Sequence, residues 1–279
     1  DPWCWFYCAT AFFLFINLIR GDSIKKILIS FIILLSLFIV NVRAEEITPN
    51  AKSAILIEAS TGKILYEKSS NEKFAPASMT KMMSLLLIME NIDNGNLKMD
   101  EEIRTSKYAS SMGGSQIFLE ENEIMKVEDM LKGVTIGSAN DATVALAERI
   151  AGTEEAFVSL MNKKAKELGL KNTNFKNCTG LDEANHYSTA YDLALMGRYA
   201  MKNDIFREFV NTKFYTLPAT NKYLTNDRVF GTTNELLKKD TRDSVDNYYY
   251  EYCTGIKTGY TNAAKSCIVA SAKKDDIEY

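Results

Sequence analysis

Residues Met79 to Ile92 place methionine, leucine and isoleucine on every side of any helix they form. Such a helix has no polar face to turn to water, so it must be buried all round. The rest of the chain therefore has to wrap it, and its ends become fixed points of the fold. The run stops at Asn94-Gly95, an ordinary helix end. Pro76 punctuates the chain just before it, and Ser78-Met79-Thr80-Lys81 opens it. A serine and a lysine three apart at a helix start share one face, so the amine can reach the hydroxyl.

Around this helix the pattern is mixed. Ala54–Glu58 and Lys63–Glu67 are short β-rich runs about a Gly62-containing turn, which predicts a hairpin. Val127, Met130, Leu131 and Val134 mark the inner face of a helix that starts with Glu128 and Asp129 and ends at Gly137. Further helices are expected over Asp141–Ala151, Glu154–Leu168 and Thr189–Met201. β character returns at Gly255–Tyr260 and Ser266–Ala272, and Ile277-Glu278-Tyr279 reads as the start of one more strand. Strands at both ends with helices between them predict an α/β (α+β) fold. Its one antiparallel sheet draws strands from distant sequence, and an all-helical subdomain is inserted.

The chain has 279 residues, enough for a sizeable core, and a net charge of −3 that favours no nucleic acid partner. Residues 1–44 differ from the rest. Lys25-Lys26, the apolar run Ile27–Val42 and then Val42-Arg43-Ala44 read as a secretory signal cut after Ala44, which leaves residues 45–279 as the catalytic domain. The alternative is a membrane anchor in which this run and the apolar run Trp3–Ile19 form a hairpin, although each is shorter than a spanning helix needs. An exported, extracytoplasmic location in the cell envelope follows. Three of the five cysteines lie beyond Ala44, namely Cys178, Cys253 and Cys267. An odd number cannot all pair, and structural thiols are expected. His186 is the sole histidine, so a histidine-rich metal site has no material, and no metal or other cofactor is expected.

Three motifs carry chemistry. In Ser78-x-x-Lys81 a poor nucleophile sits beside an amine that acts as base only if desolvation or positive neighbours lower its pKa. The spacing recurs at Ser23/Lys26, Ser60/Lys63, Ser70/Lys73 and Ser271/Lys274, but only Ser78 opens a long buried helix. Ser138-Ala139-Asn140 lies in a short break between two helices, where it could simply cap the second or could present a hydroxyl and a carboxamide donor to a substrate. Lys257-Thr258-Gly259 sits in a strand, and glycine there often marks close approach of another backbone or ligand.

Taken together, these motifs in this order resemble the low-molecular-mass penicillin-binding proteins, the serine-type D-alanyl-D-alanine carboxypeptidases. Five stretches carry the likeness: Ala54–Tyr66, Pro76–Lys81, Gly137–Ala142, Gly180-Leu181-Asp182 with His186–Ala190, and Gly255–Thr261. The resemblance implies a β-lactamase/transpeptidase-like fold and removal of the terminal D-alanine from peptidoglycan stem peptides ending in D-Ala-D-Ala. Ser78 would be the nucleophile and Lys81 its base. Ser138 would pass the proton to the departing D-alanine. Asn140, Lys257, Thr258 and Gly259 would hold the substrate. The backbone N–H groups of Ser78 and Tyr260 would form the oxyanion hole.

β-Lactam antibiotics would act as inhibitors, and membrane association would be peripheral. His186 has no triad role in that family and is expected to be structural or substrate-adjacent. A class A-like β-lactamase would need a Glu-x-x-x-Asn loop between Asn140 and Lys257, and Glu183-Ala184-Asn185 has the wrong spacing. A penicillin-sensing receptor would need a cytoplasmic partner domain. The resemblance also implies that a further strand, a helix, a β-rich domain and an amphipathic anchor follow Tyr279.

Overall fold

The computed structural model describes residues 47–239 and 248–279. The chain divides into two compact units, 1–49 and 50–279, and the architecture below is that of the second. The expected signal segment lies outside the described residues. Among the described residues, no helix is long and apolar enough to cross a membrane.

The apolar run becomes α1, Lys81–Asp93, entered through a 3₁₀ turn at Ala77–Thr80. Met82, Met83, Leu85 and Ile88 are wholly buried, as an all-apolar helix requires. The helix ends where Gly95, at φ +74, donates its N–H to Ile92 O. The expected hairpin forms as β1, Ala54–Ile57, paired antiparallel with β2, Ile64–Lys68.

The helical part follows. It contains α2 (Lys107–Ser110), α3 (Val127–Ile136), α4 (Asn140–Ala151), α5 (Glu154–Glu167), α6 (Ala190–Ala200) and α7 (Asp204–Asn211). Side chains of Thr153, Thr189 and Asn203 cap α5, α6 and α7 by accepting backbone N–H bonds. Two small antiparallel pairs are woven through it. One is β3 (Glu102–Arg104) with β4 (Ile124–Lys126); the other is β5 (Phe214–Thr216) with β6 (Val229–Gly231).

The late strands β7 (Cys253–Thr261), β8 (Lys265–Lys274) and β9 (Ile277–Glu278) form a three-stranded antiparallel sheet in the order β7-β8-β9. The expectation of one continuous sheet is met only in part. β1–β2 is a separate pair, joined to β9 where Ala59 N donates to Glu278 O. β9 is two residues long, too short to lay a full ladder against β1. Arg207 of α7 clamps it instead, donating through both terminal nitrogens to the Glu278 carboxylate at 2.6 and 2.7 Å.

Candidate active site

Ser78 lies in the 3₁₀ turn that feeds α1, and two glycines let other backbones press on that turn. A Cβ on Gly259 of β7 would stand 2.9 Å from Ser78 N and 3.0 Å from Ala77 Cβ. A Cβ on Gly180 would stand 1.8 Å from Ala77 O, and Gly180 also has φ +91. Ser78 is thus held between the strand on one side and the Thr179–Leu181 segment on the other. Ala77 itself sits at φ +48 to make the approach.

Lys81 is wholly buried. Its Nζ lies 3.1 Å from Ser78 Oγ and donates to Thr179 O at 2.7 Å. Burial, reinforced by the positive charge of Lys257, holds the amine well below the usual lysine range. A neutral amine here donates one N–H to Thr179 O and turns its lone pair toward the Ser78 hydroxyl, the arrangement a general base needs. The other serine–lysine spacings lack it. Ser70 Oγ donates to Glu67 Oε2, Ser271 Oγ pairs with Thr254 Oγ1, Ser60 is exposed, and Ser23/Lys26 lies outside the described residues.

The second motif falls in the break between α3 and α4, as expected, with Ser138 at φ +61. Neither Asn140 nor Asp141 caps α4. The N-cap is Ala139, and Asn140 is the first helical residue. Lys257, 2% exposed, donates to Ser138 Oγ at 2.9 Å and to Thr258 O at 3.0 Å. Burial pulls its pKa down to about 7. Motifs two and three are therefore joined by one hydrogen bond, and motifs one and three by the Gly259 contact. Thr258 Oγ1 pairs with Thr233 Oγ1 at 2.6 Å, and the Tyr260 side chain is exposed.

One expectation changes in detail. The Asn140 carboxamide is expected to donate to substrate, yet its Nδ2 already donates to Gly113 O at 2.6 Å. A carbonyl partner fixes which end is nitrogen, so the free atom is Oδ1. It is buried without a partner, and it presents an acceptor for an N–H.

His186 is buried and hydrogen-bonded within the protein. Lys176 N donates to Nδ1 at 3.2 Å, so the proton is assigned to Nε2, which faces Thr80 Oγ1 at 2.8 Å. Burial lowers its pKa to about 4. The three cysteines among the described residues are free thiols, with Cys178 and Cys253 buried.

Sequence reasoning left some contributors without a role. Thr179 acts through its carbonyl, which any residue type supplies. Gly180 was visible as a glycine beside Leu181-Asp182, but its need to lie against Ala77 O is not a local property. Asp182 accepts from Thr261 Oγ1 at 2.6 Å and Ala263 N at 3.3 Å, tying that segment to the β7–β8 turn.

The chain is similar to several known proteins. A family profile described as D-alanyl-D-alanine carboxypeptidase matches residues 40–279. The chain is 53% identical over 238 residues to the Bacillus subtilis D-alanyl-D-alanine carboxypeptidase DacF, covering 84% of this chain and 57% of that protein. It is 34% identical to Escherichia coli DacC, a protein of the same description, over 82% of this chain and 54% of that one. Among solved structures, a mutant of a Streptomyces DD-transpeptidase superposes with a TM-score of 0.72 at 30% identity, covering 82% of this chain and 87% of that one. The chain spans about half the length of the curated relatives it matches.

Proposed function

The chain belongs to the D-alanyl-D-alanine carboxypeptidase family, and on that premise we propose that it removes the terminal D-alanine from peptidoglycan stem peptides through an acyl-enzyme on Ser78. The observation that carries this reading is the contact of the buried Lys81 Nζ with Ser78 Oγ at 3.1 Å, beside the partly neutral Lys257.

Neutral Lys81 takes the Ser78 proton as Oγ attacks the carbonyl carbon between the two D-alanines. The oxyanion develops between the backbone N–H groups of Ser78 and Tyr260. Ser78 sits in the first turn of a 3₁₀ segment, where N–H groups have no partner within the helix. Gly259 lies against Ser78 N, so β7 runs beside the nucleophile, which supports giving the second donor to this strand. Such donors are worth about 3–4 kcal/mol each in the transition state. Lys81 then returns the proton by way of Ser138 to the departing amine, the C–N bond breaks, and D-alanine leaves. Water, activated by the same amine, releases the shortened peptide and restores Ser78.

Substrate binding falls to the remaining residues. Asn140 Oδ1 accepts an N–H of the peptide laid along β7. The Lys257 ammonium and Thr258 hydroxyl take the terminal carboxylate, and binding that anion draws the Lys257 pKa back upward. β-Lactams, which carry an amide and a carboxylate in a similar disposition, acylate the same serine. The wall lies outside the cytoplasm, so export through the segment ending at Ala44, with peripheral membrane association, completes the proposal. The N-terminus of the secreted protein would then be Glu45.

The direct test is a tryptic map after incubation with benzylpenicillin. The expected adduct is on the peptide containing Ser78. An adduct elsewhere, or none on folded protein, refutes the reading.

A further inference from the structure

The loop between β5 and β6 is a closed strap built from residues outside the three motifs. Leu217 N donates to Arg228 O and Thr220 N to Tyr223 O, while Ala219 N donates to Asn226 Oδ1. The strap lies across the segment 117–124 and is bonded to it at several points. Asn221 Nδ2 donates to Asn122 O and its Oδ1 accepts from Ile124 N, at 2.9 and 2.8 Å. Tyr223 Oη donates to Phe118 O at 3.1 Å, and Thr220 Oγ1 to Glu123 Oε1 at 2.9 Å.

At the centre is an ion pair taken out of water. Arg228 Nη2 lies 2.5 Å from Glu123 Oε1, the carboxylate is wholly buried, and the guanidinium stacks 4.0 Å over the Tyr223 ring. Burying two charges is costly unless close pairing and further hydrogen bonds offset the lost hydration, and here such bonds reach the neighbouring backbone.

What that geometry holds is the second motif. Arg228 Nη1 donates to Ile117 O at 3.2 Å. From the other side, Asp141 accepts from Ile117 N at 3.2 Å and from Leu119 N at 2.9 Å. Asp141 adjoins Asn140, and Asn140 is bonded to the same loop twice, Nδ2 to Gly113 O and N to Ser115 O at 2.7 Å. The carboxamide has almost no slack there. A Cβ on Gly114 would lie 2.8 Å from Asn140 Nδ2. Ile117 is therefore gripped through both backbone groups, by the strap and by the helix that bears Asn140.

From this we propose that Arg228 is a positioning residue, and that the strap fixes the free Oδ1 of Asn140 against the substrate amide. This deepens the acyl-enzyme reading and rests on it. Losing Arg228 lets loop 113–119 relax away from α4, and Asn140 follows its partners Gly113 and Ser115. Misplacement of a substrate-orienting group by an ångström is enough to slow a reaction strongly.

The test is the rate of acylation by a fluorescent penicillin, read as both rate constant and final amplitude. Arg228→Met should slow acylation by about tenfold or more at full amplitude. A merely structural role would lower the amplitude, as unfolded molecules drop out, and leave the rate of the folded ones unchanged. The same substitution in an Asn140→Ala background should change the rate by less than about twofold, because the two act as one unit.

Should Arg228→Met fail to fold, the pair Tyr223→Phe and Thr220→Val loosens only the outer side of the strap and should slow acylation by about threefold. A variant that labels at the wild-type rate overturns the inference. So does one whose slowing is the same with and without Asn140. A wild-type chain that takes no label overturns the acyl-enzyme reading itself; labelled wild type with an unslowed variant overturns only the role of Arg228.

Discussion

Replacing Lys257 by methionine removes a buried amine while keeping an unbranched chain that fills the same space. The amine's pKa falls from 10.5 in the unfolded chain to about 7 in the fold, so between those values the unfolded chain binds more protons. Stability then rises with pH at about 1.4 kcal/mol per unit, starting near pH 7 and ending near 10.5. Integrated from pH 7, where the folded amine is half charged, to pH 9, the gain from Lys257 is about 2 kcal/mol. Lys257→Met lacks that gain. Removing its charge also lets the Lys81 pKa rise, which flattens the variant's curve further.

Urea unfolding of both proteins at pH 7, 8 and 9 measures this directly. Titrations away from the two lysines cancel in the difference, including those of the raised tyrosines and cysteines, and the Lys81 change acts in the same direction as the loss of Lys257. The expected result is a variant whose advantage over wild type shrinks by about 2 kcal/mol across the range. Parallel curves would refute the claim that Lys257 is partly neutral in the fold, and with it the pair of buried lysines from which the proposed mechanism starts.

Three other outcomes follow from the geometry. Lys81→Arg keeps the charge but supplies no base, so acylation by benzylpenicillin should fall by about 10²–10⁴, measured by stopped-flow labelling. His186 has a pKa lowered from 6.5 to about 4, so stability is lost as pH falls from 6.5 through 4, by about 3 kcal/mol. Urea midpoints of wild type and His186→Gln should converge over that range. Gly180→Ala forces a Cβ into Ala77 O at φ +91, so the protein should lose more than about 3 kcal/mol or swing Ser78 out of reach. A calorimetric scan with penicillin labelling tests it, and unchanged melting with normal labelling contradicts the close packing.

Much of this was legible in the chain because the signals are local. An all-apolar run can only be a buried helix, and α1 appears where that run lies, with its first two residues drawn into the 3₁₀ turn. The β1–β2 hairpin and the long strands β7 and β8 were readable from turn chemistry and β-rich composition. Two- and three-residue strands such as β3 to β6 and β9 carry too little periodicity to read, although Ile277-Glu278 was visible after its polar turn. The helix α7, eight residues bounded by Asn203 and Thr212, also went unread. At the site, the three motifs in their order, through the family they resemble, singled out Ser78, Lys81, Ser138, Asn140 and Lys257 as candidates, and the fold brings these residues together. What the sequence could not display was direction: which end of the Asn140 carboxamide is free, and that a carbonyl aims the lysine. Those depend on Gly113 and Thr179, partners at distances no local pattern encodes.

The two glycine approaches to Ser78 have a bearing on how the molecule comes together in time. Gly180 and Gly259 stand about a hundred and about a hundred and eighty residues from Ser78 along the chain. Contacts of such separation are the slowest to close, because the loop entropy must be met before they contribute. Helices α3 to α5, by contrast, are neighbours in sequence and in space. A partly folded chain can thus hold a formed helical subdomain while its serine has neither wall beside it nor an amine driven neutral by burial. Covalent capture of a penicillin then reports the last stage of folding rather than the first. In a refolding experiment, label should lag behind the recovery of far-ultraviolet circular dichroism.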